Sequence, residues 1–249
     1  MKRHLMMHVY PKAPGMWRRA VRHVRARLSQ FDGRRLVSVA IDTSTDRASD
    51  VAAEFGDAVE VREVYNDGRQ EMVSFPWLME SIMPESGAVF YCHAKGCTHL
   101  PGAPSHLWCD AMAAACLDYP QLVEFALARK QIAGAFRSTM QVGLSSAAFH
   151  YAGTFWWANI AALSTRQWDR WDEDFWGAES YPGMVFLPWE SACLFFDRGE
   201  TAHLYQLDFW KSTICPAFRT WRNEFSQRGI RPLAEGCELN HPLFREWIG

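Results

Sequence analysis

The chain has 249 residues, 49% of them hydrophobic, which is enough for one large domain or two small ones with a real core. A formal net charge of -2 argues against the global basicity of a nucleic-acid or anionic-lipid binder. No segment approaches the ~20 apolar residues of a membrane span, Met1-Lys2-Arg3-His4 opens no signal-peptide core, and the 7 cysteines lack framework spacing. A soluble, reduced, cytoplasmic protein without a nucleic-acid partner is therefore expected.

Residues 5–10 read as a strand stopped by Pro11 and Pro14. In 16–31, Trp17, Ala20, Val21, Val24 and Leu28 fall at helical spacing. Arg18, Arg19, Arg22, Arg25 and Arg27 lie between them and are expected on a solvated face. After the Asp32-Gly33 turn, 36–41 is a strand, 48–55 a helix and 59–65 a strand ending in Asn66-Asp67-Gly68. Residues 71–83 are helical with an interruption at Pro76, and 88–92 form a fourth strand.

Strands and helices alternating at this pitch imply βαβ units and a mostly parallel sheet in an α/β fold. Ligands of such sheets sit beyond the carboxyl ends of the strands, so the loops 11–15, 42–46, 66–69 and 93–99 should converge on one face. Residues 107–117 and 120–133 are expected to be helical, Pro120 suiting a first turn. No repeat or linker is visible, so residues 1–249 are expected to form one domain of two halves, 1–100 and 101–249.

The segment VFYCHAKGCTH at 89–99 delivers His93, Lys95, Gly96, Cys97 and His99 just past the fourth strand. Lys95 beside flexible Gly96 is either an exposed loop lysine or a phosphate ligand. A zinc site from His93, His99, His106, Cys92, Cys97 and Cys109 matches no finger or ribbon spacing, and neighbours along a strand point opposite ways, so Cys92 should face the packing if His93 faces out. No Cys-x-x-Cys pair supports redox chemistry. Asp42 is either a turn or helix-cap residue, or a hydrogen-bonding group for a ribose or base; Asn66 carries the same two readings.

The 12 tryptophans exceed what a core of this size needs, and excess aromatic rings often line clefts for ring-shaped ligands. Phe155-Trp156-Trp157 cannot all face one core, so at least one ring is expected at a cleft or a neighbouring element.

The run Val39-Ala40-Ile41-Asp42-Thr43-Ser44-Thr45-Asp46 with its following helix resembles a GT-A glycosyltransferase, and Val64-Tyr65-Asn66-Asp67-Gly68 looks like that fold's Asn/Gly loop. His93-Ala94-Lys95-Gly96, the segment from His150 through Gly153-Thr154-Phe155-Trp156-Trp157-Ala158 to Asn159, and Gly177-Ala178-Glu179 look like a family of bacterial glycosyltransferase-like proteins with HxKG, HYxGxFWWA and Gly-Ala-Glu segments. The resemblance covers roughly residues 4–205. It implies a GT-A-like, Rossmann-type three-layer sandwich and a hexosyltransferase-type enzyme of polysaccharide biosynthesis, moving a sugar from a nucleotide-diphosphate donor to a glycan or other hydroxyl acceptor.

On that resemblance Asp42 and Asn66 hold the nucleoside, with the 11–15 loop. His93, Lys95 and Gly96 hold the diphosphate, and His150, Tyr151, Trp156 and Trp157 shape the acceptor site. Glu179 is the base that takes the acceptor's proton, against the alternative of a surface carboxylate, with Glu190 as the fallback. The chain departs from the family fold where a DxD motif would bind Mg²⁺ or Mn²⁺. His93-Ala94-Lys95 stands there, and an ammonium meets a diphosphate directly. No metal ligand is assigned, Mg²⁺ or Mn²⁺ stays open as a cofactor, and the rivals are a non-catalytic nucleotide- or carbohydrate-binding relative and a zinc-binding protein.

Overall fold

The computed structural model describes residues 1–13, 15–139, 147–174, 176–197 and 201–234; position 14 of the expected 11–15 loop lies outside them. The first half follows the expected alternation: β1 (Arg3–Val9), α1 (Arg18–Arg25), β2 (Arg35–Ile41), α2 (Ala48–Phe55), β3 (Glu60–Tyr65), α3 (Phe75–Ile82) and β4 (Ala88–His93). The interruption expected at Pro76 splits 71–83 into a short 3-10 turn, Gln70–Val73, and α3, whose first turn holds the proline. The expected 16–31 helix likewise ends early, and a 3-10 turn at Leu28–Gln30 replaces its last stretch.

The second half runs through α4 (Pro104–Leu117), α5 (Pro120–Leu127), β5 (Ile132–Ala135), β6 (Arg137–Ser138), β7 (His150–Tyr151), β8 (Trp156–Asn159), α6 (Ile160–Ser164), α7 (Gly177–Val185) and β9 (Ser191–Phe195). A short α8 (Leu207–Phe209) passes through a π turn into α9 (Cys215–Gln227). The helix expected over 120–133 is thus corrected to α5 followed by a strand. Ile132-Ala133-Gly134-Ala135 has almost no β-branched content of its own. It is a strand because β8 and β9 satisfy its backbone from both sides.

Seven strands form one sheet in the order β3-β2-β1-β4-β8-β5-β9. β1, β2, β3 and β4 are parallel, and β5 and β9 are parallel to each other. β8 alone runs antiparallel to its neighbours β4 and β5. The outermost β3 blunts its edge with Glu60, Arg62 and Glu63. Because β2 and β3 lie on one side of β1 and β4 on the other, strand order reverses between β1 and β4, the place where a crevice opens beyond the carboxyl ends.

Alternate side chains along the sheet feed two separate cores. Leu5, Met7, Val9, Phe90, Cys92 and Trp157 pack under α1, α2, α4, α5 and α9; Met6, Leu36, Val89, Tyr91 and Trp156 pack under α3, α6 and α7. The molecule is a three-layer α/β sandwich with a mostly parallel central sheet, as expected. Cys92 is fully buried in the first core while its neighbour His93 faces the other side, again as the alternation requires.

Arg19 in α1 and Arg27 just after it depart from the solvated face expected for them. Arg27 is 1% exposed and gives its Nε–H to Asp118 at 2.7 Å; Arg19 Nε donates to Asp110 at 2.7 Å, and His23 Nε2 meets the same carboxylate at 2.7 Å. These pairs pin α1 and the turn after it to α4 and its C-terminal cap. An arginine within helical spacing of an apolar stripe turns inward when the facing helix offers a buried carboxylate.

Candidate active site

The crevice at the strand-order reversal is an open cleft lined by His8 and Tyr10 from β1 and just beyond it, by residues 93–99 after β4, by Gln70 and Glu71, and by Trp176, Glu179 and Tyr205 from the second half. Expectation and structure agree on its place. They differ on several of its residues.

β4 ends on His93, and the chain then folds back. Ala94 N–H donates to the His8 carbonyl at 2.9 Å and Lys95 N–H to the His93 carbonyl at 2.8 Å. Gly96 completes the turn at φ 84°, and a Cβ there would stand 2.8 Å from His106 Cδ2, so only glycine suits the position. The turn directs the Lys95 ammonium onto the Trp108 ring, 4.1 Å from its centroid, with Tyr205 5.8 Å away. Among the described residues no carboxylate lies within ion-pair distance of Lys95, so its charge is held by ring faces alone.

His93 Nδ1 makes a short hydrogen bond to Glu71 Oε1, and Glu71 Oε2 accepts the Tyr91 hydroxyl at 3.1 Å. Burial works to raise the Glu71 carboxyl, but the His93 charge and hydrogen bond, with His8 and Tyr91, outweigh it and hold the group below its ordinary value. His8, directly opposite His93 in register, is pushed down to about 4 by burial, so it is neutral at pH 7. Its Nδ1 lies 3.0 Å from Ser74 Oγ, which accepts the Ser38 hydroxyl at 2.7 Å. The sequence reading missed Glu71, His8 and this serine pair. Glu71 sat inside an expected helix, and His8 inside an apolar strand, with nothing local to mark either.

Glu179 reaches the cleft from the first turn of α7. A Cβ at Gly177 would stand 1.9 Å from the Asp172 carbonyl oxygen, so glycine is what lets α7 begin there. Glu179 Oε1 accepts the Gly153 N–H at 3.2 Å and lies 4.0 Å from His150 Nε2. The HYxGxFWWA and Gly-Ala-Glu segments, apart in sequence, therefore meet at one carboxylate. Burial lowers His150, with Glu179 opposing the shift.

Asp42 ends β2 as expected, beside Asn66 at the end of β3, whose Nδ2 is 3.5 Å from Asp42 Oδ2. Asn66 Oδ1 accepts the Gly68 N–H at 3.1 Å, the turn role, and Asp42 takes the Ser44 N–H and the Tyr10 hydroxyl, each at 2.7 Å. Hydrogen bonds from the Ser44 hydroxyl and then Tyr10 hold the Asp42 carboxyl down at about 2. Neither residue lines the cleft directly. Tyr10 does, and it connects Asp42 to it. Helix α2 is capped by neither Asp42, Ser44 nor Asp46, since Asp50 Oδ2 accepts the Arg47 N–H at 3.2 Å.

The three rings do not share one core, as expected, but none of them lines the cleft. Phe155 is 1% exposed, and Trp156 and Trp157 are each 0% exposed; β8 is an interior strand, and its alternation sends the two tryptophans into opposite cores, both covered by helices. Trp157 Nε1 donates to the Cys116 carbonyl at 2.8 Å. Tyr151 is likewise buried, donating to the Ala192 carbonyl at 2.8 Å. None of the three can touch an acceptor in this conformation. The cleft's accessible rings are instead Trp176, 43% exposed, and Tyr205, 51% exposed. Glu190 is corrected too. It precedes β9, at the amino edge of the sheet opposite the cleft, and is engaged by Arg166.

Mg²⁺ or Mn²⁺ would need converging oxygen donors. Both oxygens of Glu71 accept hydrogen bonds, the imidazole of His93 is held by that carboxylate, and Glu179 is the other carboxylate in the cleft lining, so the end of β4 lacks the paired carboxylates typical of a hard-metal site. Among the described residues no three His, Cys, Asp or Glu side chains group as ligands for a metal ion. The thiols of Cys92, Cys97 and Cys109 are unpaired, with Cys97 pushed up to about 12 by burial. Among the described residues no helix is long and apolar enough to cross a membrane.

No family model matches the sequence, and no curated protein matches it. Among solved structures the chain is similar to a 4-diphosphocytidyl-2C-methyl-D-erythritol synthase (TM-score 0.42, 14% identity, 82% of this chain and 96% of that one). It is similar also to glucosyl-3-phosphoglycerate synthase from Mycobacterium tuberculosis in complex with UDP (TM-score 0.41, 12% identity, 92% and 80%). A third is a candidate nucleotide-diphospho-sugar transferase from Desulfovibrio desulfuricans G20 (TM-score 0.38, 11% identity, 99% of each chain).

Proposed function

We propose that the protein is a glycosyltransferase that moves a sugar from a nucleoside-diphosphate donor to a hydroxyl of a glycan or other acceptor. The observation that carries the reading is the cleft itself. At the strand-order reversal it faces a lone ammonium, Lys95, and a paired imidazole, His93, on one side, and a carboxylate, Glu179, on another. Sugar transfer needs those two kinds of group, cations for a departing diphosphate and a base for an incoming hydroxyl.

In this reading Asp42 and Asn66 contact the nucleoside, with Tyr10 between them and the cleft, and Lys95, His93 and the Gly96 turn meet the diphosphate. Glu179, beside His150, takes the proton of the acceptor hydroxyl as its oxygen attacks the anomeric carbon. The bond from that carbon to the phosphate oxygen breaks, its electron pair leaves with the diphosphate, and Lys95 offsets the charge. A single displacement of this kind inverts the anomeric carbon. Trp176 and Tyr205 supply the ring faces on which an acceptor stacks. Residues 1–100 act as the nucleotide half and 101–249 as the acceptor half of one domain. Hexosyl transfer in bacterial polysaccharide assembly, on the cytoplasmic side, is the setting the sequence motifs favour.

The end of β4 carries no carboxylate pair, which favours a second reading, a nucleotide-sugar binder without turnover. A thermal-shift screen of nucleoside diphosphates and their sugar conjugates, with and without Mn²⁺, tests both, because a ligand of the native state raises its stability by mass action. Stabilisation together with donor consumption supports the transferase, stabilisation alone the binder, and no stabilisation by any nucleotide overturns both.

A further inference from the structure

Gln70, to which the transferase reading gives no part, opens the 3-10 turn Gln70–Val73 with its backbone at φ 55°. In that left-handed region a side chain crowds the main chain, and glycine is the residue the position favours. Gln70 nevertheless lines the cleft, half-buried, and among the described residues its amide makes no hydrogen bond. A side chain carried on a strained backbone at the wall of a cleft, with donor and acceptor both open, points to a ligand. We infer that the Gln70 amide hydrogen-bonds hydroxyls of the transferred sugar, and that this sugar is a neutral one. This rests on the transferase reading and adds to it a sugar-contacting residue and a class of donor.

The turn that carries Gln70 touches both sides of the reaction. Next to Gln70 in the chain, Glu71 bonds to His93 at the end of β4, two residues from Lys95, the side on which the diphosphate departs. Met72 packs against the start of α7, for a Cβ at Gly177 would stand 2.8 Å from Met72 Sδ. Glu179, the base, reaches the cleft from that same first turn. The anomeric carbon must lie between the departing diphosphate and the attacking hydroxyl, so in this reading the sugar ring sits against the wall to which Gln70 belongs. A primary amide suits such a ring, because each sugar hydroxyl both donates and accepts, and the amide offers an acceptor oxygen beside two N–H donors.

Charge around the position selects against an acidic sugar. The carboxylates of the lining are Glu71 and Glu179. Of its basic groups, Lys95 and His93 meet the diphosphate in the transferase reading. His8 is pushed down to about 4 by burial, and His99 is held below its ordinary value by burial and then by Lys95. Among the described lining residues no further side chain brings a positive charge to a sugar carboxylate, while Glu179 would repel one.

The test uses UDP, dTDP, CDP, GDP and ADP, each against its own glucose conjugate, by titration calorimetry on the full chain. The quantity read is the affinity of the conjugate relative to its parent diphosphate, which cancels effects on the diphosphate site. For the conjugate that binds best, Gln70→Gly is expected to lower that ratio about three- to tenfold, and Gln70→Ala to lower it equally. Gln70→Gly should also keep the melting temperature at or above that of the wild type, since glycine relieves the left-handed backbone. An unchanged ratio in both variants, whatever the stability, overturns the assignment of Gln70 and leaves the transferase reading standing. A glucuronate conjugate of the same diphosphate bound by the wild type as tightly as the glucose conjugate overturns the neutral class of sugar. Binding of none of these nucleotides sinks the transferase reading and takes this inference with it.

Discussion

Lys95 Nζ stands 4.1 Å from the centroid of the Trp108 indole, so among the described residues this cleft ammonium rests on an aromatic face and not on a carboxylate. A carboxylate partner would neutralise it, whereas a ring quadrupole attracts the cation and leaves its charge to act on an anion. Replacing Lys95 by Gln is expected to weaken nucleoside-diphosphate binding about tenfold or more, while global stability falls by at most ~1 kcal/mol. Calorimetric titration beside a urea melt reads both, and unchanged affinity with lost stability would make Lys95 a packing residue.

For Glu179 the expectation is a loss of turnover without loss of donor binding. Glu179→Gln keeps an oxygen to accept the Gly153 N–H, so the start of α7 should hold. Removing a general base lowers kcat by about 10²–10⁴. The measurement is donor consumption alongside nucleotide affinity, and full turnover in the variant would assign the base elsewhere.

Trp156 and Trp157 should behave as core residues. Trp157→Ala opens a cavity against Phe31 and Phe90, whose ring centroids lie 5.6 Å and 5.1 Å from it, and orphans the Cys116 carbonyl. The expected cost is about 3–5 kcal/mol in denaturant unfolding. By contrast, Trp176→Ala should leave stability within ~1 kcal/mol and raise the acceptor KM. A stable Trp157 variant with a raised acceptor KM would restore the acceptor role that burial removes.

His8 gives the fold an acid limit. Burial depresses its folded pKa to about 4 against the ordinary 6.5, so the unfolded chain binds the proton more readily. The stability linked to neutral His8 is present in full above about pH 6.5 and is lost as pH falls through about 4, up to ~3 kcal/mol in all. Replacing His8 by Asn should flatten that limb of the stability–pH curve. An unchanged slope between those values would show that other groups set the limit.

Much of the architecture was legible in the chain because its signals are local. The apolar runs at 36–41 and 88–92, the helical spacing of α1 and α2 and the turn residues Asp42, Asn66 and Gly96 each depend on near neighbours. They place the sheet and its carboxyl-edge loops, and so they located the cleft. Lys95 and Glu179, which both line the cleft, each stand in a short motif with a glycine, and both those glycines are required by close approach.

Contacts distant in sequence were decided by tertiary structure alone. Ile132-Ala133-Gly134-Ala135 is a strand because β8 and β9 flank it, and Phe155-Trp156-Trp157 lies in the core because β8 is inserted between β4 and β5 and helices cover both faces. Arg27 is buried because Asp118, 91 residues away, receives it. The Glu71–His93 pair likewise joins a 3-10 turn to a strand end. The sequence by itself determined the period of each element and hence the edge on which ligands gather. Only the folded chain decided which side chains reach that edge, since burial and ion pairing are set by three-dimensional neighbours that no local pattern encodes.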